Sequence, residues 1–172
     1  MHTKVVVLLA AMAISCGGVT PAARIETATA PAASANQYKT FSLGLTEHPP
    51  VGYELTARSL DAQARLRDLI IDGLKAKGYD PQLDGSRADL TIRYATGNRE
   101  VLKYAERHEN RDTAFEGAIV VDAYDSATGL EIWHGMASAP VNRDHIDNDV
   151  LQRGVRQVLA SFPARAPAGV VQ

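Results

Sequence analysis

The side chain with the clearest chemistry in this chain is its only cysteine, Cys16, because of where it stands. It follows an apolar run, Val5 to Ile14, behind a weakly basic start at His2 and Lys4. A run of that length has the size of a signal-peptide core and falls short of the roughly 20 apolar residues of a transmembrane helix. Ala13, Ile14 and Ser15 precede the cysteine, and Gly17 and Gly18 follow it. This is the pattern of a lipobox, whose cysteine is lipidated on sulfur and becomes the first residue after cleavage. At about 0.8 kcal/mol per buried methylene, two or three acyl chains anchor a protein well beyond reversible binding. Ala11-Met12-Ala13 also fits the A-x-A pattern of ordinary secretory cleavage, which would leave Cys16 a plain thiol.

A second group with possible chemistry is Asp144-His145-Ile146-Asp147-Asn148-Asp149. Its carboxylates and imidazole could hold a hard cation, and with His134 from an earlier segment they give a candidate metal-assisted hydrolase built on His134, His145 and Asp147. The register of a calcium loop, with alternating ligands, a central glycine and a distal glutamate, is missing. Capping of a following helix by Asp147 or Asp149 accounts for the same residues. His108 lies in a charged stretch and His48 before two prolines, neither beside a partner in sequence.

Other chemistries are excluded on motif grounds. There is no G-x-S-x-G elbow, no Walker A loop and no dinucleotide glycine fingerprint, and no cofactor is expected. A single cysteine rules out thiol-based zinc and redox motifs and any disulfide within the chain. The formal net charge is −2, and −3 once Lys4 is removed with the leader. That mild acidity argues against a nucleic-acid partner, which calls for a basic stripe.

The elements that must position these groups read as follows. Residues 1–15 form the signal peptide, and 16–36, rich in Ala, Thr and Pro, form a flexible tether with too little apolar surface to order. Residues 37–163 form one domain, and 164–172 a loose tail. Phe41, Leu43 and Leu45 alternate as in a half-buried strand. Ser59 reads as a helix N-cap, and Leu66, Leu69, Ile70 and Leu74 make one apolar stripe that Gly78 ends. Gly73 inside that stripe implies close packing, with the sheet the expected neighbour. Leu90, Ile92 and Tyr94 alternate again, and Asn98 to Thr113 is charged in both signs, either extending this strand or looping out.

Gly117 to Tyr124 and Leu130 to Met136 flank Asp125-Ser126-Ala127-Thr128-Gly129, a hairpin whose Gly129 can take positive φ. Trp133, the lone tryptophan, is expected in the core. Leu151, Val155, Val158, Leu159 and Phe162 mark a last helix stopped by Pro163. The expected fold is an α+β two-layer sandwich in the order β-α-β-β-β-α. Its sheet has four mostly antiparallel strands, packed by two helices.

Tyr38-Lys39-Thr40-Phe41, the helix end Lys75-Ala76-Lys77-Gly78-Tyr79, Ala88-Asp89-Leu90, Asp125 to Trp133 with its D-x-x-T-G-x-x-x-W pattern, and the end Phe162-Pro163 occur in that order. Behind a lipobox, this order resembles the bacterial lipoproteins grouped as domain of unknown function family 4136. The likeness covers Tyr38 to Pro163. It implies a lipid-anchored envelope domain and carries no catalytic residue or cofactor.

The expected function is thus a non-catalytic binding or structural module of the cell envelope, tied to the membrane through acylated Cys16. Gly17, with no aspartate after the cysteine, implies the periplasmic face of the outer membrane. A soluble periplasmic protein is the alternative location. An envelope protein is the expected partner, and the sheet edge near Asn98 to Thr113 is the expected meeting point if the chain is an assembly subunit.

Overall fold

A computed structural model of the chain describes residues 24–29, 37–46, 48–103, 112–142 and 146–165. Cys16, His108 and His145 lie outside them. The elements are β1 (Arg24–Thr29), β2 (Thr40–Leu45), α1 (Ala57–Ala76), β3 (Asp80–Pro81), β4 (Leu90–Lys103), β5 (Asp112–Asp125), β6 (Glu131–Val141) and α2 (Asn148–Ala160). The strands form one sheet in the order β1-β6-β5-β4-β2-β3, with α1 and α2 packed on one side of it. The α+β two-layer arrangement is as expected, but the sheet has six strands where four were expected.

The sheet is also mixed. β2 runs parallel to β4, with Phe41 opposite Leu90, and parallel to the short β3. α1 serves as the crossover between two parallel strands, a connection that only a segment of that length can make. β4, β5 and β6 are antiparallel throughout. The remaining unexpected strand is β1. Arg24–Thr29, inside the stretch read as tether, pairs antiparallel with β6 from Arg24–Ser138 to Thr29–Trp133. All six of its residues are exposed, so its ladder of backbone bonds to β6 holds it rather than core burial. At the other end, Arg165 still bonds back, its amide to the Lys77 carbonyl and its guanidinium to the Gly78 carbonyl.

The start of α1 also differs from expectation. Thr56 is the N-cap, and Ser59 sits three residues on as the reciprocal partner of a capping box. The Ser59 amide donates to Thr56 Oγ1 and the Thr56 amide to Ser59 Oγ. Asn98 of β4 accepts from both hydroxyls, so the cap is nailed to the sheet. Gly73 is close-packed, as its sequence position implies, but against α2. A Cβ there would stand 2.5 Å from Leu159 Cδ1.

The core lies between sheet and helices. Phe41, Leu90, Ile92, Val121 and Trp133 meet Leu66, Ile70 and Leu74 of α1 and Val155 and Val158 of α2. Trp133 is buried as expected and meets the Phe162 ring edge-on at 4.9 Å. Strand alternation sends the residues between these to the opposite face, on which neither of the described helices packs.

Candidate functional site

The charged stretch Asn98 to Thr113 resolves first, because it frames the open face. Its described part continues the ladder, with β4 and β5 paired out to Lys103–Asp112. These strands sit inside the sheet, so the exposed edges expected here belong instead to β1 and β3. Where the ribbon begins, Tyr53 crosses the sheet over Gly97 and donates its hydroxyl to Glu116, while Arg99 pairs with Glu116 at 3.0 Å. Burial alone would raise the Glu116 pKa, but the Tyr53 bond and the Arg99 charge outweigh it, and the net shift is downward. Burial, and after it the same contact, raise the Tyr53 phenol.

His134 lies on the open face, directly opposite Asp122 across the β5–β6 pair. Its Nδ1 is 2.7 Å from Asp122 Oδ1. Glu131 completes a group whose ligating atoms all lie within 4.8 Å of one another. Tyr124 donates to Glu131 at 3.4 Å, and the Arg93 guanidinium rests 5.0 Å above the Tyr124 ring. One imidazole and two carboxylates form a donor set of the kind zinc takes. The same row, Arg93–Asp122–His134, also reads as a cross-strand charge ladder complete in itself. Asp122 and His134 are half-buried and Glu131 is exposed, while further along the same face Ala95, Ala118 and Val120 are buried.

The constellation His134, His145 and Asp147 is not assembled by the described residues. Trp133 points to α2, so alternation turns His134 to the other side of the sheet. Asp147 is the N-cap residue of α2, in the helix layer, and Asp149 lies in that helix's first turn. Asp147 thus stands at the capping position expected of it, but its side chain makes no capping hydrogen bond to the helix. Asp122 and Glu131 replace them as neighbours of His134. The signal was present in the D-x-x-T-G turn, since fixing that hairpin's register sets Asp122 opposite His134, with a bulge at Ala123/Tyr124 to be allowed for.

A third feature matches no sequence motif. Between α2 and the helix-facing side of β5 and β6 runs a half-open groove of about 480 Å³. Small residues, Ala137 and Ala139, leave the space, and Val141, Ile146 and Val150 wall it. Among the described residues no helix is long and apolar enough to cross a membrane.

The family model described as "Domain of unknown function (DUF4136)" matches residues 25–164. No curated protein sequence matches the chain. Two structures of the PelC dodecamer from Paraburkholderia phytofirmans superpose with TM-scores of 0.56 and 0.54 at 15% and 13% identity, each over 84% of this chain and 100% of that one. A PDZ domain protein from Parabacteroides distasonis superposes with a TM-score of 0.56 at 11% identity, over 83% of this chain and 36% of that longer chain. At such identities the likeness is one of fold.

Proposed function

We propose, from the premise that this chain belongs to the DUF4136 family, that it is a lipid-anchored lipoprotein of the cell envelope, a non-catalytic binding or structural module. Acylated Cys16 holds it at the periplasmic face of the outer membrane. The observation that supports this reading best is β1. The chain enters the sheet at Arg24, eight residues after Cys16, so a lipid at that cysteine would hold the folded domain directly. At about 3.3–3.6 Å per extended residue, the link spans no more than ~28 Å. The group at His134 gives no second reading comparable support, because cross-strand pairing alone accounts for the Asp122–His134 contact.

A subunit of an envelope assembly is the second reading. β1 is an exposed edge strand, the kind of element another chain pairs with. PelC, with the same fold, is a dodecamer. Substituting Cys16→Ser tests the main reading. The native protein is expected in the membrane fraction, with acyl mass on its N-terminus, and the variant in the soluble fraction. Unchanged partitioning, or an intact mass without acyl groups, overturns it.

A further inference from the structure

The groove beside α2 has the dimensions and lining of a ligand site. Its volume, about 480 Å³, falls within the roughly 300–1,000 Å³ of small-molecule clefts, which are apolar with a few placed polar groups. Ala137 and Ala139 make a floor without bulk, and Val141, Ile146 and Val150 make apolar walls. At Gly154 a Cβ would stand 3.1 Å from Ile119 Cδ1, so helix and strand nearly touch there and bound the slot. Exposed Arg153 and Gln157 supply the polar part of the lining. A half-open apolar cleft of this volume has room for an unbranched hydrocarbon chain.

The occupant is indicated by where the N-terminal segment joins the sheet. Ser138 lines the groove, and Arg24, the first residue of β1, is its register partner. Ile25 pairs with Ala137 of the floor and is 38% exposed, extending the apolar surface toward the chain's entry. Cys16 lies eight residues back, within ~28 Å of contour from that point. We propose that the groove binds a fatty acyl chain, one of those carried by Cys16. The proposal rests on the acylation proposed above. A bilayer offers each methylene the same gain of about 0.8 kcal/mol. The groove therefore holds the chain when the protein is away from a membrane and releases it on insertion.

The test uses cis-parinaric acid, a fluorescent linear fatty acid, on the Cys16→Ser chain and on native protein whose acylation is verified by intact mass, both without vesicles. The Cys16→Ser chain is expected to bind one probe at micromolar concentration, and the acylated protein at least tenfold more weakly because its own chain fills the groove. Ala139→Phe fills the slot and Val150→Glu makes it polar. In the Cys16→Ser background each is expected to weaken binding at least tenfold, with the thermal unfolding midpoint measured to show that the fold persists. No probe binding by the Cys16→Ser chain, or equal binding by both folded groove variants, overturns the site. Probe binding by acylated protein as tight as by Cys16→Ser overturns the assigned occupant. An intact mass without acyl groups overturns the anchor reading instead, and the Cys16→Ser measurement then still reports on the groove.

Discussion

At the scale of single residues, the packing around the tryptophan is the most exacting. Gly135 lies two positions from Trp133 on the same face of β6, and the indole lies across it. A Cβ at Gly135 would stand 2.7 Å from Trp133 Cζ2 and 2.8 Å from Val158 Cγ1, and both neighbours are buried. Neither can retreat without opening the core, so Gly135→Ala is expected to destabilise by about 2–3 kcal/mol, the range of an overpacked site. The urea midpoint read by the fluorescence of Trp133 checks this, and an unchanged midpoint would refute the packing. Asp89 shows the same economy in charge. Its carboxylate accepts from the Thr40 amide at 2.8 Å and the Lys39 amide at 2.7 Å, holding the start of β2. The Thr40 bond leads in lowering its pKa below the ordinary 3.8, with burial opposing and the Lys39 bond assisting. A lowered folded-state value gives stability that is whole well above 3.8 and is lost as pH falls through the folded value. Asp89→Asn is expected to cost about 1 kcal/mol at neutral pH, discounted for exposure, and to flatten the stability curve below pH ~4. Chemical denaturation at a series of pH values measures both.

At the scale of elements, α1 begins where Thr56, Ser59 and Asn98 meet, with Asn98 buried at 7% exposure. Thr56→Ala removes a cap, at about 1 kcal/mol, and Asn98→Ala strands two hydroxyls, at about 1–3 kcal/mol. Because all three share one network, the double variant is expected to cost less than the sum, and a double-mutant cycle by denaturant unfolding measures the coupling. Strict additivity would mean that helix and sheet are not joined there. This junction also shows what the residues of one segment can and cannot announce. Ser59 was legible as a capping residue, but its place three positions inside the helix depends on Thr56 and on Asn98, far along the chain. The stripe of α1, the face of α2 and the Gly129 turn were readable, because period and positive φ are local properties. β1 was not, since Arg24–Thr29 buries nothing and becomes a strand only where β6 offers an edge. The parallel pairing of β2 with β4 was likewise hidden, because it depends on where α1 returns the chain. His134 was legible as a candidate, whereas its partners Asp122 and Glu131 required the hairpin register. The groove, a gap left between β5, β6 and α2 where β6 carries small side chains, leaves no trace in any one of them.

At the scale of the whole molecule, β1 changes how far the domain can stand from a membrane. A free tether of about 20 residues would give a mean reach of ~25 Å and a far larger maximum. With β1 starting at Arg24, only seven residues lie between the proposed anchor and that strand, and the full contour from Cys16 to Arg24 is ~28 Å. The direction of β1 matters as well. It runs from Ser138 toward Trp133 along β6, so its first residue lies toward the end where β4 and β5 project as a ribbon beyond Val141. The anchor is therefore joined at the ribbon end, and the Gly129 turn, with exposed Leu130, lies at the opposite end of the sheet. For acylated protein in a supported bilayer, neutron reflectometry is expected to find protein density beginning within ~30 Å of the headgroups. Inserting twenty Gly/Ser residues after Gly17 is expected to add a hydrated gap, its mean set by the square root of linker length, while membrane retention stays intact. If the native and lengthened proteins gave the same profile, either β1 would be detached from β6 at the membrane or the domain would be held there by contacts of its own. Hydrogen exchange at the β1 amides separates these outcomes, since only detachment removes their protection.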